Sequence, residues 1–337
     1  MRALLIVNPH ATSTTRLRRD VIARALASAV ELEIVETRYR GHGTSLAATA
    51  AAQGYDLVIT LGGDGTVNET VNGLLAGRDR GAGLPGGDLA STDLASTDLA
   101  STGPALAPLP GGSANVFVRA LGLAADPVDA AGQVLEALAA GLRRRIGLGR
   151  ADDRYFTFNA GLGIDAEVVR AVEGRRAHGR AVSPALYMRM ATRQFYRLTD
   201  RRTPAVHISA PEAVLSEAEL AEMGEPLVWC TVSNTAPWTY LGPRPVQTNP
   251  AASFDTGLDV FGLRHLGTVG TASVLRQMLA PGRTAPPRGR SVVTGHDLAE
   301  VTVTADRPVA FQIDGEYMGE REQVRFRAVP AALSVVM

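Results

Sequence analysis

The feature that most constrains this chain is the stretch Leu61-Gly62-Gly63-Asp64-Gly65-Thr66-Val67-Asn68-Glu69, where an apolar run ends in three glycines around one carboxylate. The residues before it, Tyr55 to Leu61, form a short, branched, continuous apolar run, the pattern of a strand buried on both faces of a parallel sheet. After it Val67, Val71, Leu74 and Leu75 recur at helical spacing, so Gly62, Gly63 and Gly65 sit in a strand-to-helix turn. Glycines in such a turn permit positive φ and let backbone N–H groups approach a ligand, while the helix N-terminus that follows favours an anion. Two readings stand at this level: a cradle suited to phosphate, or a tight turn in which Asp64 only hydrogen-bonds backbone.

The flanking sequence repeats the pattern. Residues 2 to 8 read as a buried strand closed by the turn Asn8 to Ser13, followed by a helix through Leu17, Val21, Ala25 and Leu26. Leu32 to Thr37 is a second strand, and Gly41-His42-Gly43 leads into a short helix, with His42 structural or solvent-facing. Alternating strands and helices predict a doubly wound parallel sheet, whose ligands lie beyond the carboxyl ends of the strands, where Asn8, Thr37 and Gly62 to Thr66 fall. Ala105 to Pro110 adds a strand, Gly111 and Gly112 a second glycine turn, and Ser113 and Asn115 precede a helix through Phe117 and Leu121; Ser113 would cap that helix on the plainest reading. Between Arg78 and Pro104 periodicity is lost and Asp-Leu-Ala-Ser-Thr occurs three times, from Asp88 to Thr102, which predicts a flexible surface insertion dispensable for folding.

After the amphipathic helix Asp126 to Leu142 the pattern changes to short alternating runs, among them Tyr155 to Ala160, Leu227 to Asn234, Leu258 to Arg264 and Val301-Thr302-Val303-Thr304, the signature of an antiparallel sheet. Helical segments are expected near Asp165 to Glu173 and Pro184 to Leu198, the second with a Leu, Met, Phe and Tyr stripe suited to a core or to an acyl chain. The expected fold class is α/β plus β: a nucleotide-binding domain over 1–125 (with 78–104 as the insertion), a β-rich sandwich domain over 126–320, and a segment 321–337 returning to the first. Lys plus Arg and Asp plus Glu number 34 each, so no global field draws the chain to nucleic acid or to an anionic membrane. Cys230 is the single cysteine and lies in an apolar run, so no intrachain disulfide forms, and a cytoplasmic, reducing compartment is the default. No apolar stretch is long enough to span a bilayer, so any membrane contact is expected to be peripheral, at the inner face.

The run GGDGTVNE with its following helix closely resembles the nucleotide-binding motif of the diacylglycerol kinase catalytic family, which includes bacterial lipid, sphingosine and ceramide kinases. Three further segments are similar to that family's motifs, in order along the chain. Gly111-Gly112-Ser113-Ala114-Asn115 resembles its second phosphate loop, with Val116 where bacterial members carry Asp. Phe158 to Glu167 resembles a segment whose aspartate, here Asp165, faces the acceptor substrate; capping the helix explains Asp165 equally well. Asp314-Gly315-Glu316 is a hairpin signal by itself, and by resemblance brings Glu316 as general base. The resemblance implies ATP and Mg2+ as cofactors. ATP would lie across Asn8, Thr37, Gly62 to Thr66, Gly111, Gly112, Ser113 and Asn115, with Asp64 orienting Mg2+ or the acceptor hydroxyl. It also implies a lipid acceptor at the membrane surface, admitted between the domains: diacylglycerol first, a sphingosine or ceramide type next. A soluble kinase of the NAD-kinase type and an inactive nucleotide-binding regulator are the rivals, and a homodimer is left open. Asp255 matches a loop that carries a structural Mg2+ in bacterial members, but Thr256 replaces its second Asp and removes a carboxylate from the site.

Overall fold

The structure, a computed structural model, describes residues 1–11, 15–81, 103–177, 204–210 and 225–337. Residues 12 and 13 of the first turn, the Asp-Leu-Ala-Ser-Thr repeats and the expected helix Pro184 to Leu198 lie outside the described residues. Two compact units are present: residues 1–113, 122–144 and 333–337 form one, and 114–121 with 145–332 form the other.

In the first unit the unbroken apolar runs become β1 (Arg2–Val7), β3 (Leu57–Gly62) and β4 (Ala105–Pro110), which are almost wholly buried. With β2 (Glu31–Glu36) they form a parallel sheet in the order β2-β1-β3-β4. Charged residues leave β2 largely exposed, as suits an edge. The last residues of the chain extend this sheet on the other side, Val335 pairing in parallel with Leu106.

Successive strand residues point to opposite faces, so the sheet needs cover on both. One face, with Leu5, Ile59 and Ala107, packs on Ile22 and Leu26 of α1 (Arg16–Ala27) and on Ala130 and Val134 of α5 (Pro127–Ala139). Each of these helices has a local start signal: the Thr15 hydroxyl accepts from Arg18 N, and the Asp126 carboxylate accepts from Val128 N and Asp129 N with Pro127 behind it. On the other face α2 (His42–Ala52) and α3 (Asp64–Gly81) pack tightly against each other. Gly73 makes that contact feasible, because a Cβ there would fall on the Thr44 carbonyl and within 2.7 Å of Ala47 Cβ.

The second unit is built on antiparallel pairing. Its sheet runs β13 (Val292–Leu298), β12 (Leu258–Leu263), β9 (Trp229–Ser233), β7 (Asn159–Gly163), β14 (Glu300–Ile313) and β15 (Glu316–Val335). β8 (Val206–Ser209) pairs with β14, while β5 (Arg144–Ala151) pairs with β15 and with β6 (Arg154–Phe156). The run Val301 to Thr304 and the later Val309 to Ile313 belong to one strand, β14, with a register shift between Thr304 and Val309, a stretch that contains Pro308, which has no N–H to donate. Three elements lack a sequence expectation: the hairpin β10 (Thr239–Leu241) with β11 (Arg244–Val246), the helix α7 (Thr268–Met278) and β13. α7 starts at Gly267 with no side-chain cap and buries only Thr271, Val274 and Met278, so neither a start signal nor a broad apolar stripe marks it.

Two glycine substitutions should move stability in opposite directions. Gly132 lies inside α5 with nothing within 4 Å of a new Cβ, so Gly132→Ala should stabilise by about 0.5–1 kcal/mol. Gly73→Ala should destabilise by about 1–3 kcal/mol, since the clash with Thr44 outweighs the helix preference. Urea unfolding of both variants reads the signs.

Candidate functional site

The parallel register sets the first group of residues in a row. Val7 lies opposite Glu36 and Leu61, and Gly62 opposite Pro110, so the next residues, Asn8, Thr37, Gly62 to Gly63 and Gly111, follow together at the carboxyl ends of β1, β2, β3 and β4. Their backbones are tied: Asn8 N donates to Leu61 O (3.0 Å), Thr37 N to Val7 O (2.8 Å) and Gly111 N to Gly62 O (2.7 Å). Asn8 spans the row, its Nδ2 donating to Thr66 Oγ1 at 3.3 Å and its Oδ1 accepting from His10 N at 3.0 Å.

The glycines are needed for proximity and not for positive φ. Gly62, Gly63 and Gly111 all lie outside the left-handed region, which corrects the expectation from turn chemistry. A Cβ on Gly111 would stand 2.8 Å from Gly62 Cα, one on Gly63 3.3 Å from Gly112 Cα, and one on Gly62 2.5 Å from Thr66 Oγ1. Asp64 opens α3 directly after this contact, half-buried, with Gly65 and Thr66 in the same first turn. N–H groups of a first helical turn lack intrahelical partners and favour an anion.

Glu69 has a role that its position in the motif does not announce. Its carboxylate accepts from Gly41 N (2.6 Å) and Gly43 N (2.9 Å), and so fixes the start of α2, whose N-cap Gly41 has no side chain to do so. The missing cap at Gly41-His42-Gly43 is the one sequence signal for it, since orphan N–H groups need an acceptor. His42 is structural: its Nδ1 accepts from Arg38 N at 3.1 Å and its ring stacks on Tyr39.

Ser113 closes the second turn, exposed, and does not cap the short helix α4 (Val116–Ala120). The cap is Asn115 of the second unit, buried and left-handed at φ 49°, a conformation asparagine tolerates.

The second unit carries a different cluster. Asp314 and Gly315 have φ 48° and 75°, the two positive angles that a two-residue hairpin between β14 and β15 requires. The Asp314 carboxylate is buried and accepts from Thr157 N (2.7 Å), Thr157 Oγ1 (2.9 Å), Phe158 N (3.0 Å) and Asn159 N (3.2 Å), which anchors the hairpin on the start of β7. Two residues before Asp314, in β14, Gln312 joins hairpin and helix. Its Oε1 accepts from Gly315 N (2.9 Å), and its Nε2 donates to Asn159 Oδ1 (3.0 Å) and Asp165 Oδ2 (3.1 Å). Thus Asp165, in the first turn of α6 (Ile164–Ala177), is tied through Gln312 to Gly315, the residue before Glu316. Glu316 lies 3.8 Å from the Arg154 guanidinium and is partly exposed.

Burial pushes the Asp165 carboxyl up to about 7, against the opposing hydrogen-bond stabilisation of its charged form by Gln312, Trp229 and Trp238. The Trp229 part of that stabilisation is incomplete, since neither Trp229 Nε1 nor Asp165 Oδ1 closes a hydrogen bond within normal geometry. Asp255 lies elsewhere in the second unit. It is exposed, in a loop held by Asp255 N on Ser253 Oγ and Thr256 Oγ1 on Ser253 O.

For a magnesium ion the donor turn offers one carboxylate, Asp64, and among the described residues no three His, Cys, Asp or Glu side chains are placed to hold a metal. That suits an ion carried by nucleotide phosphates, which needs one or two carboxylates and no protein cage. No helix among the described residues is long and apolar enough to cross a membrane.

The family model described as the diacylglycerol kinase catalytic domain matches residues 2–151. A Bacillus subtilis protein named diacylglycerol kinase is 31% identical over 179 residues, 52% of this chain and 50% of that protein. A Chromohalobacter salexigens protein designated lipid kinase YegS-like is 34% identical over 167 residues, 50% of this chain and 45% of the relative. The chain thus spans about half the length of the curated relatives it matches. A crystal structure of a diacylglycerol kinase from Bacillus anthracis superposes with a TM-score of 0.66 at 19% identity, covering 99% of this chain and 96% of that one, and shows the shared two-part fold.

The two tryptophans of the chain both neighbour Asp165, which gives its titration an intrinsic reporter. Tryptophan emission should change with a midpoint near pH 7 and lose that transition in Asp165→Asn. With the folded pKa above the unfolded one, the native chain keeps a proton that the unfolded chain has released between the ordinary carboxylate range and pH 7. The stabilising contribution is therefore full below that range and falls as pH rises through 7, so Asp165→Asn should gain on the unmodified chain in melts towards alkaline pH. Identical pH profiles for both proteins would contradict this.

Proposed function

Because the chain belongs, over residues 2–151, to the diacylglycerol kinase catalytic-domain family, we propose that it is an ATP-dependent lipid kinase that moves the γ-phosphate of ATP to a lipid hydroxyl, with diacylglycerol the first candidate and phosphatidic acid its product. The observation that carries this reading is the row of backbone turns at the carboxyl ends of β1 to β4, closed by the Gly62–Gly111 contact and followed by the first turn of α3. Such a row holds a polyphosphate by N–H groups and helix dipole, without a side-chain cage.

On this reading the first unit binds the donor. Asn8, Thr37, Gly62 to Thr66 and Gly111 to Ser113 receive the phosphates, with Asn115 completing the second phosphate-loop motif. Asp64 accounts for the protein's share of a nucleotide-borne Mg2+, which when bound neutralises charge on the phosphates. The second unit presents the acceptor. Glu316 takes the proton of the lipid hydroxyl as its oxygen bonds to phosphorus and the bond to the leaving ADP oxygen breaks. Asp165, held by Gln312 on the same hairpin, recognises a polar group of the acceptor.

Purified protein with γ-labelled ATP and Mg2+ should label diacylglycerol in mixed micelles, with sphingosine, ceramide, a polyprenol and NAD as parallel acceptors. Glu316→Gln and Asp64→Asn should each reduce labelling by about a hundred- to ten-thousandfold at unchanged melting temperature. Label on NAD alone, or no labelled lipid from a folded sample that binds ATP, would refute the reading.

A further inference from the structure

Between Asp259 and Asp297 the chain contains five arginines, Arg264, Arg276, Arg283, Arg288 and Arg290, and no Asp or Glu, although the whole chain has a formal net charge of zero. The same stretch has no Trp or Tyr, and its one Phe, Phe261, is fully buried. Its centre is α7, fastened by Val274 and Met278 onto the cluster of Trp229, Phe261 and Leu263. Helical periodicity puts Val269 and Arg276 on the outward side, with Leu275 and Leu279 along the flank. Val269 is 85% exposed, Leu275 43% and Leu279 37%, a group of apolar side chains facing water.

The loop after the helix is locked beside it. Gln277 Nε2 donates to Arg288 O (2.9 Å) while its Oε1 accepts from Arg288 N (3.0 Å), which holds Arg288 and the adjoining Arg290 next to the last turn of α7. Arg283 braces the loop from within, donating to Ala285 O and Pro286 O at 2.7 Å each. Arg276, Arg288 and Arg290 are exposed, and none joins the ion pairs seen among the described residues.

We propose that this face, the outer side of α7 with Arg288 and Arg290, is a docking surface for a bilayer containing anionic phospholipid. Arginines alone suit any polyanion, but exposed Val and Leu beside them have a use only where a hydrocarbon boundary lies behind the anionic groups. A single-stranded nucleic acid offers no such boundary, and the stretch presents no exposed Phe, Trp or Tyr on which bases could stack. The cluster beneath α7 includes Ile164 and Trp229, the neighbours of Asp165, so the surface is continuous by packing with the acceptor side of the second unit. Charge and exposure carry the surface whether or not the chain is a kinase.

The test is co-sedimentation of the full chain, without ATP, with phosphatidylcholine vesicles that contain or lack phosphatidylglycerol. Binding should require phosphatidylglycerol and weaken with added salt. Arg276→Glu with Arg288→Glu and Arg290→Glu should lower the partition coefficient by about a hundredfold. Val269→Asp with Leu279→Asp should lower it by about tenfold with melting temperature unchanged. All of these variants should phosphorylate a short-chain, water-soluble diacylglycerol at the unmodified rate, and failure of the kinase reading would leave the sedimentation result standing. No binding to phosphatidylglycerol vesicles, equal binding to both vesicle types, unmodified-level binding by the charge-reversed variant, or preference for polyuridylate over vesicles would each overturn the proposal.

Discussion

At the mouth of β3 and β4 two glycine turns meet backbone to backbone, through a 2.7 Å hydrogen bond and with no space for a side chain on Gly62 or Gly111. That contact lets the two strand ends stop at the same level, so that the start of α3 and the turn before Asn115 serve one row of donors. It also dictates composition: any Cβ at Gly111 would push the turn off Gly62 and part the two strand ends. The neighbouring helix pair uses the same device, with Gly73 under Thr44 and the Glu69 carboxylate on Gly41 N and Gly43 N. The run Gly62 to Glu69 thus holds strand, turn and helices together.

The second unit solves a different problem: how to keep polar groups inside an antiparallel sheet. Asp314 is satisfied by four donors from residues 157 to 159, and Gln312 uses both ends of its amide. Asp165 is the member left short, with Oδ1 unpartnered and its carboxyl raised by burial. A buried network that is complete except at one carboxylate is rigid everywhere but at that group, which is where a polar ligand atom has most to offer.

The first unit is legible in the sequence because each of its buried strands is an unbroken apolar run and its capped helices have a Thr or Asp at the start. What glycines do there is not legible: composition does not separate a positive φ from a close approach, and only the observed spacing shows that Gly62, Gly63 and Gly111 serve the second. In the second unit α7 escapes notice because Gly267 supplies no cap, and β13 because Val292 to Leu298 includes Gly295 and His296. Asp165 and Glu316 stand out by resemblance alone, and Gln312 not at all, since an amide in a strand has no local signature until the groups it bridges, 147 residues apart in one case, are brought together.

The last strand also has a bearing on how the chain is made. The first unit is composed of three separate stretches, and its final piece, residues 333–337, follows the whole of the second unit in the sequence. A ribosome therefore releases Val335, the partner of Leu106, only after every strand of the second unit has been synthesised. Until then the edge of β4 that Val335 pairs is open, so that side of the first unit's sheet is completed only after the strands of the second have been made.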